Sequence, residues 1–310
     1  MCVTKRQKSG GLLGRIMEHR AYYIMLLPGL IYFAIFKFAP MYGVIISFKD
    51  FRMNSGITNS PFASPWYKHF LDFFSSPFWG ELLANTIAIS MSKLLLGTLF
   101  ALLLALILNE CRSSLLRRTV QTITYMPHFF SWVVVYGIVY IFVSENSGIV
   151  NRFLNELTGS TIPFLTSPRY FRSVLYVSHI WKGMGYSSIV YLSAMASIDM
   201  NLYEAALVDG AGRFRRIFHI TLPGIRSTII MLLILNIGNI LNAGFDQIFV
   251  MYNSQVYSVA DIIDTWVYRA GLQEMRFSLA AAVGLFKSVI GFIMVFGTNK
   301  LAKIWEEGIW

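Results

Sequence analysis

The feature that most constrains this chain is a series of six long apolar stretches. They cover approximately residues 22–48, 80–108, 120–143, 171–196, 225–250 and 278–300. A helix needs about 20 mostly apolar residues to cross the hydrocarbon core of a bilayer, and each stretch has that length. The composition agrees, because 55% of the residues are hydrophobic and only 14% are charged. The sequence therefore predicts an all-α membrane protein with six transmembrane helices between residues 22 and 300.

The distribution of lysine and arginine between the loops predicts the orientation. Fourteen of the 26 basic residues fall on the side of the N-terminus, eight fall on the opposite side, and four lie inside the predicted helices. Basic residues are retained on the cytoplasmic side of a membrane. We therefore expect both termini in the cytoplasm, with residues 1–21 as an N-terminal segment and residues 301–310 as a C-terminal tail. The apolar run from Tyr22 is too long for the core of a signal peptide, so we expect the first helix to be retained.

Charge and motif content exclude several function classes. A net charge of +10 would suggest nucleic acid as the partner of a soluble protein, but topology and contact with anionic membrane lipid account for it here, so no nucleic-acid partner is expected. Cys2 and Cys111 both fall on the reducing side without metal-ligand spacing, which predicts neither a disulfide nor a metal site. The chain has no Gly-Lys dipeptide, hence no Walker A loop, and no HExxH or GxSxG motif. It is predicted not to be an enzyme and to hold no cofactor.

A charged segment, YEAALVDGAGRFRRIFHITLP, separates the fourth and fifth apolar stretches. Its first residues favour a helix, Gly210 and Gly212 permit the positive φ of a turn, and a second helix should begin near Arg213. Pro223 is placed where the fifth span can begin without losing a hydrogen bond. We therefore expect a cytoplasmic helix–turn–helix projection, here called the elbow, over residues 202–223. Its charges alone are also typical of an ordinary positive-inside loop.

The spacing inside the elbow resembles the EAA motif of permease subunits in bacterial ABC importers. The Glu-Ala-Ala at 204–206, Gly210, Ile220 and the Leu-Pro at 222–223 all match that motif. In that family the motif forms coupling helices that dock into a groove of a cytoplasmic ATPase. The resemblance thus implies an ATPase-coupling role for Glu204, Ala205, Ala206, Asp209, Gly210, Ile220, Leu222 and Pro223.

The resemblance extends over most of the chain. Residues 26–51, 126–135, 202–214 and 280–291 look like carbohydrate importer permeases, in particular those for oligosaccharides from plant or algal polysaccharides, such as the lipoprotein-operon, aldouronate and rhamnogalacturonan types. The core spans also resemble the larger maltose permease subunit, without its extra N-terminal helices and large periplasmic domain. The resemblance implies a type I ABC importer permease fold in the bacterial cytoplasmic membrane.

The family also implies partners. They are a second, different permease, two copies of an ABC ATPase that bind ATP and magnesium, and an extracellular or periplasmic solute-binding protein. This chain would then form half of the translocation pathway for an oligosaccharide. A permease for a non-sugar solute is the alternative. A stand-alone secondary transporter would need an inverted repeat and broken helices, and a membrane enzyme would need a convergent set of catalytic groups; neither is evident in the sequence.

Polar residues inside the fourth and fifth stretches indicate where a sugar would pass. Buried polar groups in a span face a cavity or a partner, and sugar sites combine aromatic faces with hydrogen-bonding groups. Asn236, Asn239, Asn242 and Asp246 recur at helical spacing and predict one polar face on the fifth span. The match to maltose-type permeases adds further positions. The expected pathway residues are His179, Trp181, Lys182, Gly183, Tyr186, Asn236, Asn239, Ile240, Ala243 and Phe245.

Lys182 suggests a hypothesis about the cargo. If its ammonium faces the pathway, it would favour an acidic, uronate-containing oligosaccharide through charge-assisted hydrogen bonds. Snorkelling to the interface, or pairing with a carboxylate of the partner permease, is an equally weighted alternative. Lys37 and Lys93 are interpreted as snorkelling or interhelical residues, and His128 and His219 as ordinary loop or interface residues.

Overall fold

The structure is a computed structural model that describes residues 19–303. The predictions for Cys2 and for the terminal segments 1–18 and 304–310 therefore lie outside the described residues. Within 19–303 the regular elements are helices, apart from one antiparallel bridge between Lys49 and Phe62. The prediction of an all-helical fold is confirmed.

The first half of the described chain contains eight helices, some of which include a short 3-10 or π-helical turn. They are α1 (Arg20–Phe48), α2 (Gly56–Asn59), α3 (Lys68–Phe74), α4 (Trp79–Asn109), α5 (Ser114–Phe129), α6 (Trp132–Val143), α7 (Ile149–Thr158) and α8 (Pro168–Ala196). The second half continues with α9 (Met200–Val208), α10 (Arg213–Gly224), α11 (Arg226–Ile237), α12 (Phe245–Met251), α13 (Tyr257–Ala260), α14 (Ile263–Tyr268) and α15 (Phe277–Lys303).

Three of these helices, α1, α4 and α15, are continuous. Each of them is long and apolar enough to cross a membrane. Two bent pairs also qualify when each pair is taken together: α5 with α6, bent by 110°, and α10 with α11, bent by 57°. Helix α8 has 29 residues and is therefore about 43 Å long, but it is more polar than the other candidates. By length and composition the described residues provide three spans, or five with the bent pairs. The number of six remains a prediction.

The third apolar stretch is not one helix. Helix α5 ends in a 3-10 turn at Phe129, and Phe130 and Ser131 adopt extended backbone. The Ser131 side chain then caps α6 by accepting a hydrogen bond from the amide of Val134. Pro127 in that last turn has no amide to donate, which favours a break. Hydropathy alone does not locate the break, because apolar residues occur on both sides of it.

The fifth apolar stretch is broken as well. Helix α11 ends at Ile237, a 3-10 turn follows at Ile240–Asn242, and Ala243 and Gly244 take left-handed backbone with φ of 46° and 76°. The prediction of a single polar face through Asn236, Asn239, Asn242 and Asp246 is therefore wrong, because the helical register does not continue across the turn. Broken helices, which are not evident in the sequence, are therefore present in the structure.

Packing is closest between α8 and its neighbours. Ile89 on α4 and Phe171 and Leu175 on α8 are fully buried in one apolar cluster. Helix α5 approaches α8 at Gly185, where an ideal Cβ would lie 2.0 Å from the carbonyl oxygen of Thr124. By contrast, every residue from 20 to 42 on α1 is exposed, and only the last turns of that helix pack against α15. Of the residues that the structure describes, none covers the first part of α1.

Candidate functional sites: the elbow and the intramembrane cavities

The elbow is formed by α9, a tight turn and α10. Asp199 caps α9 by accepting a hydrogen bond from the amide of Asn201 at 3.0 Å. The turn contains Gly210 in left-handed backbone (φ 75°), and the amide of Ala211 donates to the carbonyl of Ala206 at 2.8 Å. Such a left-handed C-terminal turn favours glycine. Gly210 thus takes the predicted conformation, whereas Gly212 has ordinary extended backbone and precedes α10 as its N-terminal cap.

The two arms of the elbow are joined at their base. The hydroxyl of Tyr203 on α9 hydrogen bonds the hydroxyl of Thr221 on α10 at 2.9 Å, and Thr221 is buried. An ideal Cβ at Gly224 would lie 2.8 Å from Cδ1 of Ile198, so the two chain segments touch closely there. The two arms of the elbow are therefore held together at the base by direct contacts.

Pro223 does not begin the fifth span. It lies in the last turn of α10, the break follows at Ile225, and α11 begins at Arg226. A π-helical turn at Ile217–Thr221 precedes the proline. Wide turns of this kind interrupt the regular hydrogen-bond ladder, so a residue without an amide hydrogen is accommodated after it.

The surface of the elbow carries both charge and exposed apolar side chains. Glu204 is exposed, and among the described residues it has no ion-pair or hydrogen-bond partner. Val208 and Phe214 are 88% and 77% exposed on either side of the turn. Exposed apolar patches with a charged rim mark interaction surfaces. A cavity of about 270 Å³ opens here, and it is lined by Ala206, Asp209, Ala211, Arg215, Arg216, His219 and Ile220.

The predicted coupling residues fall into three groups. Ala206, Asp209 and Ile220 line the elbow cavity, while Glu204 and Ala205 are exposed on α9. The remaining members shape the backbone and do not line the cavity: Gly210 in the turn, and Leu222 and Pro223 at the base of α10.

Three of the predicted pathway residues come together in one cavity. His179, Tyr186 and Asn236 line a space of about 240 Å³ between α4, α8 and α11, here called the α4–α8 cavity. The other polar side chains in its lining are Lys93, Thr98, Ser187 and Tyr191. Sequence reasoning missed Lys93 as a cavity residue. Its position near the middle of α4 was the available signal, because a lysine there is too deep for its ammonium to reach either membrane surface.

The other predicted pathway residues are elsewhere. Trp181 lines a separate, largely apolar cavity of about 470 Å³ beside α6. Asn239 lines a third cavity of about 480 Å³ together with Asn242, Asp264 and Lys287. Ile240 and Ala243 are each 4% exposed, because the broken backbone turns them inward. Gly183 has no atom within 4 Å of an added Cβ, and Phe245 stacks on Phe249 with centroids 5.1 Å apart.

Lys182 contacts the broken third span. Its ammonium donates to the carbonyl oxygens of His128 at 2.6 Å, Phe130 at 2.7 Å and Pro127 at 3.4 Å. An ammonium has three donors, so this arrangement occupies all of them. Tyr186, one turn further along α8, stacks on the His128 ring with centroids 3.9 Å apart. Both contacts hold the end of α5 against α8, which places His128 at a helix interface as expected.

Replacing Lys182 with methionine is expected to lower the melting temperature of the purified protein by several degrees. The change leaves three backbone carbonyls without their donor, and an unsatisfied buried polar group costs about 1–3 kcal/mol. Thermal unfolding followed by size-exclusion fluorescence measures the effect. Lys37→Met on exposed α1 is the matched control and should leave the melting temperature unchanged. Equal stability of both variants would contradict the clamping role of Lys182.

Known proteins match this chain over most of its length. A family model described as "Binding-protein-dependent transport system inner membrane component" matches residues 97–303. Protein LplB of Bacillus subtilis (strain 168) is 47% identical, over 92% of this chain and 89% of its own. The polygalacturonan/rhamnogalacturonan transport system permease protein YteP of the same strain is 41% identical, over 99% and 96%.

A solved structure extends this likeness to three dimensions. The crystal structure of a bacterial alginate ABC transporter in complex with alginate pentasaccharide-bound periplasmic protein contains a chain that superposes with a TM-score of 0.86. That chain is 39% identical, and the match covers 96% of this chain and 99% of that one. The residues that the family model matches include the whole elbow.

Proposed function

Because the chain belongs to the family of binding-protein-dependent transport system inner membrane components, we propose that it is the permease subunit of an ATP-driven importer and forms half of an oligosaccharide pathway. The elbow carries this proposal. It presents exposed apolar side chains and the Glu204 carboxylate, which has no partner in the described part of the chain, and a coupling partner needs such a surface. As a member of this family the chain resides in the bacterial cytoplasmic membrane.

The cargo we propose is an acidic oligosaccharide. YteP is described as a polygalacturonan/rhamnogalacturonan permease, and the solved neighbour is an alginate transporter. Polygalacturonan and alginate are both polymers of uronic acids, so their fragments carry one carboxylate per sugar unit. Identities near 40% over almost the whole chain support a related substrate class here.

The proposed assembly contains this chain, a second permease, two ATPase subunits and a solute-binding protein outside the membrane. The solved neighbour is an ABC transporter seen with a periplasmic protein, which supports the last partner. ATP and magnesium would bind to the ATPase subunits, since this chain has no Walker A loop. This subunit contributes the passage and the coupling surface without a catalytic site of its own.

Coupling would proceed by rigid-body movement. The Tyr203–Thr221 hydrogen bond and the Ile198–Gly224 contact join the arms of the elbow. Movement of the tip of the elbow would therefore displace the end of α8 together with the start of α11. Both helices line the α4–α8 cavity. Closure of the ATPases would thereby open the cavity alternately to the two sides of the membrane, as a switch between packed arrangements.

Reconstitution tests the proposal directly. The complete complex in proteoliposomes with internal ATP and magnesium is expected to import trigalacturonate when the binding protein is added outside. A non-hydrolysable ATP analogue should abolish uptake. Uptake driven by a proton or sodium gradient alone would overturn the assignment in favour of a secondary transporter. ATP-driven uptake of a non-sugar solute, with none of trigalacturonate, would overturn the substrate class.

A further inference from the structure

Lys93 is a lysine buried near the middle of a membrane-spanning helix. Its side chain lies in the α4–α8 cavity, and the residue is 5% exposed. The ammonium donates one hydrogen bond, to the carbonyl oxygen of Ala243 at 2.8 Å. Among the described residues it has no second acceptor and no carboxylate within ion-pair distance. Two of the three N–H donors of its ammonium thus have no acceptor among the described residues.

A charge at this depth needs compensation. Ionisable groups inside membrane spans are costly, and they face water-filled cavities or bind counter-charges. The lining of the α4–α8 cavity contains no aspartate or glutamate. Its other polar side chains, including His179 and Asn236, can form hydrogen bonds. The cavity is therefore lined by one lysine and by no acidic side chain of the described residues.

The other lysines within the predicted spans differ from Lys93 in their exposure or in their hydrogen-bond and ion-pair partners. Lys287 pairs with Asp264 and also donates to the amide oxygen of Asn242. Lys182 donates to three carbonyl oxygens. Lys37 lies on the exposed part of α1. Of the four lysines that fall within the predicted spans, Lys93 alone combines a cavity, a buried position and unused donors in the described chain.

The backbone around Lys93 holds its ammonium in place. Ala243, the acceptor, and Gly244 form the left-handed turn that interrupts the fifth apolar stretch. An ideal Cβ at Gly244 would lie 3.0 Å from the ammonium nitrogen, so the glycine leaves the space that the lysine occupies. One turn beyond Lys93, Gly97 allows the His179 ring to come within 3.6 Å of an ideal Cβ. The Lys93 ammonium is thereby held at the turn, with the His179 ring on the same side of α4.

We propose that Lys93, with His179 and Asn236 beside it, forms a subsite for the carboxylate of one uronate unit of the cargo. The inference rests on the function proposed above and assigns the charge recognition to Lys93 in place of Lys182. A carboxylate accepts charge-assisted hydrogen bonds from an ammonium, and such bonds are about twice as strong as neutral ones. Pockets for drug-sized ligands measure about 300–1,000 Å³. At about 240 Å³ the cavity suits a single sugar ring and not a whole oligosaccharide.

The test compares the binding of an acidic trisaccharide with that of its neutral analogue. Trigalacturonate and carboxyl-reduced trigalacturonate have the same length and linkages and differ only in charge. Equilibrium binding of each is measured on the complete permease–ATPase complex in nanodiscs, with the solute-binding protein omitted so that its own selectivity does not enter. For Lys93→Gln, which retains an N–H donor towards Ala243 but has no charge, we expect at least tenfold weaker binding of trigalacturonate and less than a twofold change for the neutral trimer.

Three further variants separate specificity from folding. Lys93→Arg keeps the charge and should restore the preference for the acidic trimer. Lys182→Met should weaken both trimers by a similar factor, and Lys37→Gln should change neither. Equal losses for both trimers in Lys93→Gln, or no loss at all, would overturn the subsite while leaving the import function in place. A wild-type complex that neither binds nor imports either trimer would overturn the proposed function and the subsite together.

Discussion

Replacing Glu204 with lysine is expected to abolish ATP-dependent import while leaving the membrane domain folded. Glu204 is exposed on α9 and has no ion-pair partner among the described residues, so the fold does not depend on its charge. Losing one member of a charge pair at an interface costs about 2–5 kcal/mol. Reversal of the charge should therefore weaken ATPase binding roughly 30-fold or more. Copurification of the ATPase with the tagged permease, and uptake in proteoliposomes, measure the two consequences.

The matched control for this experiment is Glu110→Lys. Glu110 follows the end of α4 on the predicted cytoplasmic side, and like Glu204 it makes no side-chain hydrogen bond or ion pair in the part of the chain that the structure describes. The same charge reversal there should leave ATPase copurification and uptake unchanged. Wild-type assembly and transport in the Glu204 variant would exclude a docking role for α9.

Replacing Gly185 with alanine is expected to damage the fold more than other single-methyl additions to α8. The new Cβ would lie 2.0 Å from the Thr124 carbonyl oxygen and 2.4 Å from the carbonyl carbon, which are backbone atoms that cannot rotate away. Helix α5 would have to move off α8. Overpacking of this kind costs about 1–3 kcal/mol, which corresponds to a fall in melting temperature of about 2–12 °C.

Gly183→Ala provides the comparison two residues earlier on the same helix. No atom lies within 4 Å of an added Cβ at that position, and alanine favours the helix more than glycine does. The melting temperature of this variant should equal or exceed that of the wild type. If the two alanine variants unfolded at the same temperature, the close approach of α5 and α8 at Gly185 would be wrong.

The elements that the sequence predicted well are those fixed by local chemistry. The α9 helix, the left-handed turn at Gly210 and the start of α10 at Arg213 all follow from residues within the elbow. The structure differs from the prediction in the backbone conformation of Gly212 and in the helix to which Pro223 belongs. Each residue type permits the predicted conformation without requiring it. A glycine can take a positive φ but need not, and a proline can begin a helix or end one.

The helix breaks and the cavity depend on contacts between distant residues. The break after Phe129 is stabilised by Lys182 on another helix, and the turn at Ala243 by Lys93 on α4, 150 residues earlier. Neither pairing leaves a periodic signal in an apolar stretch, because hydropathy averages over both sides of a break. Of the pathway residues predicted on the fifth stretch, Asn236 precedes the break and lies in the α4–α8 cavity, whereas Asn239, Ile240, Ala243 and Phe245 follow the end of α11 and do not line it.

The clamp at Lys182 also bears on the order in which this chain can be built into a membrane during its synthesis. Helix α6 has 12 residues, about 18 Å, which is short of the roughly 30 Å hydrocarbon core. The carbonyl groups at the break find their donor 52 to 55 residues later in the chain. Backbone groups in hydrocarbon must be satisfied within the protein. The third segment therefore reaches its final packing only after α8 has been synthesised.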